Sequence, residues 1–328
     1  MEKQQVKRIC RQIYNWGWER FLQKRTVSRL DKIISNNREK EECNPMYYVI
    51  NCKELPPQGL FGYINLYIAM IWYAIENNMI PIIDMQNYIN TYLEEDEVGK
   101  VNSWELFFEP VSRKSLEEVY SSGRYIVGNH MDIDWKYYPG INGYHSSKMF
   151  SLFSLLYSNF VVFSPKAEAY CIKEAREILK GKENETLGVL IRGTDIRKAK
   201  GHAIQPTLEE ICLKIDKTLR KDRKFKYIYL ATEEKTNEDY LRKRYGDMIL
   251  VNKRTYYDNY DYSKGLSLVV TENKRDRFSR GLEYLSSIFI LSQCGGLLSG
   301  QCGGGLGAFY LNGGKYRTVY FWEIGTVE

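Results

Sequence analysis

The feature that most constrains this chain is a repeated alternation of short apolar runs, glycine-bearing or polar turns, and longer segments with helical spacing of apolar residues. Residues 47–52 form a β-like run, 56–62 a loop with Pro56, Pro57, Gly59 and Gly62, 63–76 an apolar-rich helix, and 79–85 a second buried strand. Strand, helix and strand in that order make a β-α-β unit and therefore a parallel sheet. Helical spacing at 167–180 and a polar break at 181–186 precede a second round: strand 187–191, helix 208–219, strand 227–231, helix near 238–245, strand 248–251. At 328 residues the chain suits two cores of roughly 150 residues each. The expected architecture is α/β, with two Rossmann-type domains at 46–180 and 181–328 facing a cleft.

Several function classes are disfavoured by composition. The longest apolar stretches, 64–75 and 151–164, span 12 and 14 residues with polar interruptions, short of the roughly 20 that a spanning helix needs. The opening Met-Glu-Lys-Gln-Gln has no apolar core, so no signal peptide and a cytoplasmic location are expected. Seven cysteines are scattered and none is spaced Cys-x-x-Cys, which argues against a disulfide framework or a zinc site. A net charge of +6 without a long Lys/Arg block gives no nucleic-acid footprint. The 27 tyrosines and 6 tryptophans suit sugar faces better. Residues 1–45 read as a basic helical segment with Val6, Ile9, Ile13, Trp16 and Phe21 near helical spacing. Two roles fit 1–41: a helix packed on the body, or an interfacial helix giving peripheral contact with anionic lipid at the inner face of the membrane.

Three places carry candidate chemistry. In the loop 58–63, Gly59 and Gly62 allow a sharp turn and let a phosphate approach the amides at a helix N-terminus; a tight turn alone is the other reading. The run Leu190-Ile191-Arg192-Gly193-Thr194-Asp195 follows a buried strand, so its polar residues emerge at the carboxyl end of a sheet, where α/β ligands bind. The Arg192 guanidinium offers a fixed fork of donors to a phosphate, and Asp195 either orients it or caps a turn. The run Ser299-Gly300-Gln301-Cys302-Gly303-Gly304-Gly305 follows helical spacing at 282–293 and a short apolar run. Such backbone freedom points to a phosphate or sugar against the amides, or to a packing turn. No Gly-x-Gly-x-x-Gly fingerprint or Walker lysine is present, which disfavours a dinucleotide enzyme.

The order of five short blocks resembles the α1,6-fucosyltransferases, the family of the bacterial nodulation and N-glycan core enzymes. The blocks are Gln58-Gly59-Leu60-Phe61-Gly62, Trp104-Glu105-Leu106-Phe107-Phe108-Glu109-Pro110-Val111, Gly188 to Asp195, Tyr229-Leu230-Ala231-Thr232-Glu233-Glu234 and Ser299-Gly300-Gln301. The resemblance implies a GT-B-like pair of domains, inverting transfer from GDP-fucose to a glycan or lipid-linked saccharide, as in surface polysaccharide biosynthesis, and no metal. It makes Arg192 the holder of the donor pyrophosphate. Gly62 and Tyr63 become glycine-loop contacts, and Ser299, Gly300 and Gln301 contacts to phosphate and ribose. Thr194 and Asp195 also match family motif positions.

The chain departs from that pattern at several positions. Leu190 and Gly193 stand where the family has a histidine and a second arginine. The acidic guanine contact aligns near Ser287, with Glu283 one turn earlier as its substitute. The family's general base falls near Lys200. His202, whose ordinary pKa suits proton removal near neutrality, is the nearest replacement, with Asp195, Glu233 and Glu234 as the other candidates. Two rival readings stay open. Asp132 and Asp134 form an Asp-x-Asp pair that in a GT-A-like transferase holds a divalent cation, or they serve a turn. Alternatively the chain is a saccharide-binding module without turnover.

Overall fold

The computed structural model describes residues 45–193, 201–256 and 276–327. The basic N-terminal segment 1–44, and with it the proposed lipid contact, lies outside these residues, as do Thr194 and Asp195. The contacts divide the chain into two compact units.

The first unit contains the segment ending at Cys52, Leu66–Asp84 and Pro110–Val162. Its sheet is three-stranded and parallel, ordered β2-β1-β3, with β1 Tyr47–Ile50, β2 Ile80–Ile83 and β3 Tyr125–Gly128. Tyr47, Val49, Ile82 and Val119 form one core cluster. Helix α1 (Leu60–Glu76) links β1 to β2, as the β-α-β reading requires. It starts three residues earlier than its apolar spacing suggests, because the amides of Gly62 and Tyr63 both donate to Gly59 O and so make the glycine loop the first turn. Helices α2 (Leu116–Ser122), α3 (Asn142–His145) and α4 (Ser147–Phe160) complete the unit.

The second unit contains Lys53–Asn65, Met85–Glu109 and the chain from Phe163 onward. The contacts thus group 53–65, 85–109 and 163–180 with the C-terminal sheet, and the chain crosses between units more often than a single boundary at 180 would have it. Packing accounts for the last of these segments. Helix α5 (Pro165–Leu179), capped by Ser164 and started by Pro165, lies along α8 (Asp276–Gln293).

A parallel five-stranded sheet ordered β6-β5-β4-β7-β8 forms the centre of this unit, with β4 Thr186–Ile191, β5 Tyr227–Thr232, β6 Ile249–Leu250, β7 Gly296–Gly300 and β8 Thr318–Trp322. Helix α6 (Leu208–Lys221) shows why the local sequence folds so: Thr207 and Glu210 form a capping box, Ile211, Cys212, Ile215 and Thr218 make the buried stripe, and Arg220 and Lys221 sit at the negative end of the dipole. Helix α7 (Lys235–Tyr245) follows β5. The order of the strands reverses beside β4. From β4 the chain winds outward through β5 and β6, then returns to place β7 on the other side of β4. This is the topological switch point at which α/β sheets bind ligands. Leu190 of β4 pairs with Ser299 of β7 there. Within this unit, strand β8 and helix α9 (Gly303–Asn312) exceed the expectation from sequence.

Candidate active site

Arg192 leaves the carboxyl end of β4 at this switch point, with its side chain 14% exposed. Its Nε lies 3.3 Å from Glu233 Oε1, on a carboxylate only 2% exposed at the end of the neighbouring strand β5. The same oxygen accepts from the Gly193 amide at 3.2 Å. Glu233 therefore fixes both the guanidinium and the turn that carries it. Glu234 is buried as well. Its Oε2 accepts from Asn237 Nδ2 at 2.8 Å, and Asn237 also donates to Thr232 Oγ1 at 3.1 Å. A Cβ on residue 193 would collide with the Glu234 carboxylate. At Gly193, where the resemblance leads one to expect a second arginine, any side chain would have to displace the Glu234 carboxylate that Asn237 holds.

The hub of the site is Tyr284 on α8. Its ring lies 5.9 Å from the Arg192 guanidinium carbon and 5.6 Å, edge on, from the ring of Phe61 in the first turn of α1. A Cβ on Gly304 of α9 would come within 2.6 Å of its hydroxyl. Burial pushes the Tyr284 phenol well above its usual range, against the opposing pull of Arg192, so it stays neutral. One arginine and the N-terminal turns of α1 and α9 thus converge on one tyrosine. Partial positive charge at two helix N-termini beside a guanidinium favours an anion. The intrahelical ladder of α9 begins with Leu306 N on Cys302 O, and Cys302 Sγ accepts from Gly305 N at 3.4 Å. The Gly303 and Gly304 amides precede any intrahelical acceptor.

The glycine run 303–307 owes its composition to size rather than to unusual dihedrals. None of these glycines has a positive φ. A Cβ would meet Phe61 O at 3.1 Å from Gly303, Ser299 Oγ from Gly305, and the Phe61 ring from Gly307. The expectation that backbone freedom marks this loop is corrected accordingly: four glycines in five residues begin a helix, and they let α1, Ser299 and Tyr284 approach its axis. Gly307→Ala should lower stability by about 1–3 kcal/mol through overpacking against Phe61, as read from urea denaturation of the pure protein.

The remaining sequence candidates fall in different places. Ser299 is buried and its hydroxyl donates to Gly300 O at 2.7 Å. Gln205 Nε2 donates to Gln301 O at 3.2 Å, so Gly300 and Gln301 are held beside residues 201–205. Gly59 and Gly62 are exposed and Tyr63 is buried against Tyr92. Because the amides of Gly62 and Tyr63 are used within α1, these two residues shape the turn rather than offer those amides to a ligand. His202 is exposed, and its carbonyl accepts from Val327 N in an antiparallel pairing of 201–204 with 325–327. Glu283 Oε2 accepts from the Thr255 amide at 2.9 Å. Ser287 is fully buried, bonded to Asn252, which also accepts from Tyr229 Oη at 2.7 Å. It is part of the core beside the sheet.

Cys302 sits at the mouth of α9. Burial raises its thiol, although Arg192 and the Gly305 amide pull the other way, so it remains a thiol rather than a thiolate nucleophile. Asp134 caps a turn, with Oδ1 accepting from Lys136 N at 3.0 Å and Oδ2 3.6 Å from Lys136 Nζ. No group of three or more metal-ligating side chains is present among the described residues. No helix among them is long and apolar enough to cross a membrane.

Glu238, at the start of α7, reports on the rigidity of this edge. Burial alone would raise its carboxyl, but hydrogen bonds from Lys235, Tyr256 and Arg242 bring it down to about 2. A depressed folded-state value means that its stabilisation is complete above the ordinary value near 4.5 and is lost as pH falls toward about 2. Melting curves across that window should fall less steeply for Glu238→Gln than for the wild type.

No protein-family model and no curated protein matches the chain. Solved structures share similarity at low identity. A NodZ α-1,6-fucosyltransferase soaked with GDP-fucose is 14% identical, with a TM-score of 0.49 over 77% of this chain and 88% of that one. POFUT1 in its apo form is 10% identical, with a TM-score of 0.45 over 87% and 100%. A variant of Arabidopsis thaliana FUT1 in complex with GDP is 11% identical, with a TM-score of 0.45 over 96% and 80%.

Tyr284 and Gln205 escaped the sequence reading, and Phe61 entered it only as part of the block 58–62. Tyr284 was one of 27 tyrosines with nothing in its spacing to separate it from core. The tie of Arg192 to Glu233 joins residues 41 positions apart, and only adjacency of β4 and β5 brings them together.

Proposed function

We propose that the chain is a GT-B-like, inverting glycosyltransferase whose second unit holds a sugar nucleotide by its diphosphate. The observation that carries this reading is the convergence of Arg192 with the first turns of α1 and α9 on Tyr284, at the switch point of a parallel sheet. As the bond between the sugar and the diphosphate breaks, negative charge grows on the leaving oxygens. A guanidinium pre-positioned by Glu233 and two helix N-termini stabilise that charge more than the ground state, which requires no metal in the step.

GDP-fucose is the proposed donor, on the strength of the ordered sequence blocks. The acceptor is proposed to be a glycan hydroxyl, with Asp195 or His202 removing its proton. Of the two positions expected to contact guanine, Ser287 is buried and Glu283 is engaged with Thr255. Release of free nucleotide from a panel of GDP- and UDP-sugars, with and without EDTA, tests the reading. Metal-independent release from GDP-fucose above the other donors is expected. Strict EDTA sensitivity would favour the Asp132/Asp134 alternative, and no turnover with intact nucleotide binding would favour a saccharide-binding module.

A further inference from the structure

The first unit exposes an aromatic residue that its packing does not use. Beyond β3 the chain makes two short turns, His130–Asp132 and Trp135–Tyr137, at the carboxyl edge of the three-stranded sheet. These turns are firmly anchored. Asn129 Oδ1 accepts from Met131 N at 3.0 Å, Tyr138 Oη donates to His130 O at 3.2 Å, Ile133 is buried, and the Tyr137 ring meets Trp72 at 4.9 Å. Trp135 is nevertheless 83% exposed and Met131 76%. The Tyr138 ring supports the indole at 5.0 Å and an interplanar angle of 39°.

An ordered turn that holds an indole in water forgoes the burial such a side chain usually contributes and leaves a ring face open to a ligand. The chemistry around it selects the partner. Asp132 and Asp134 are both exposed on the same turns; Asp134 pairs with Lys136 at 3.6 Å, and the Asp132 carboxylate takes no hydrogen bond or ion pair among the described residues. Asp132 and Asp134 outnumber Lys136 on these turns, so an anionic lipid surface meets no excess of positive charge here. A saccharide suits it: the apolar face of a pyranose lies on the indole, and hydroxyls at its rim donate to carboxylates in charge-assisted bonds.

We propose that Trp135, backed by Tyr138 and flanked by Asp132 and Asp134, is a stacking platform for an uncharged or basic saccharide. Its role as an acceptor subsite rests on the transferase reading above, but the binding itself is measurable without transfer. The full-length protein and Trp135→Ala and Trp135→Phe variants would be applied to a printed array of neutral oligosaccharides, with the thermal shift induced by GDP recorded on the same preparations. Expected is wild-type binding to a subset of the array, a loss of tenfold or more in Trp135→Ala, partial retention in Trp135→Phe, and an unchanged GDP shift in all three. Array binding without any GDP shift would sink the donor reading and leave the platform standing. Equal array binding by Trp135→Ala, or no array binding by the wild type, would overturn the platform, as would a Trp135→Ala effect confined to vesicle sedimentation or self-association.

Discussion

Arg192→Ala should reduce sugar transfer by about a hundred- to thousandfold in a protein that still folds, the typical result of removing one pre-organised donor to a developing anion. The side chain is mostly buried and its Nε lies 3.3 Å from Glu233 Oε1 in an ion pair without a hydrogen bond, so the alternative is that it only braces the ends of β4 and β5. Lysine separates the two roles. Arg192→Lys keeps the charge near Glu233 but lacks the planar fork, so it should recover stability more fully than turnover. Melting temperature and turnover from one preparation decide the point: a folded Arg192→Ala protein with near-normal turnover would remove Arg192 from the chemistry.

The second large effect is expected at Glu233. Removing one partner of a buried ion pair leaves the other charge uncompensated, at a cost of about 3–5 kcal/mol. Glu233→Ala also strips the Gly193 amide of its acceptor, so both stability and transfer should fall. Arg192→Ala/Glu233→Ala removes both charges together and should be less destabilised than Glu233→Ala alone. Urea denaturation of the three variants measures this. If the double variant loses the sum of the single losses, the two side chains are not coupled and Glu233 does not position Arg192.

The parallel sheets were legible because their signal is local. A buried run such as Leu187 to Ile191 reads as a strand wherever it occurs, and a polar residue directly after it must emerge at the sheet edge. Arg192 was found in that way. The run Gly303-Gly304-Gly305 left ligand binding and tight packing both open because each glycine's partner is distant in sequence: Phe61 for Gly303 and Gly307, Tyr284 for Gly304, Ser299 for Gly305. Glycine chosen for absence of a Cβ and glycine chosen for freedom of φ look identical in one sequence. Glu233 has a role in the sequence reading only as a candidate base for the same reason, since its partner Arg192 stands a whole α/β repeat away. Ser287, taken as the aligned position of a base contact, faces Asn252 in the core instead. Helical periodicity places a residue on a face, and only the packing of β6 and α8 decides what that face meets.

The central claim is that the second unit binds a nucleoside diphosphate through Arg192, and ligand-induced thermal stabilisation tests it most directly. A ligand at a hundred times its dissociation constant adds about 2.7 kcal/mol to a folded protein. GDP and GDP-fucose should raise the melting temperature of the wild type more than UDP, UDP-sugars or NAD, and the shift should vanish in Arg192→Ala while its unliganded melting curve stays cooperative. A GDP shift of equal size in wild type and Arg192→Ala, or none with any nucleotide, would contradict the account.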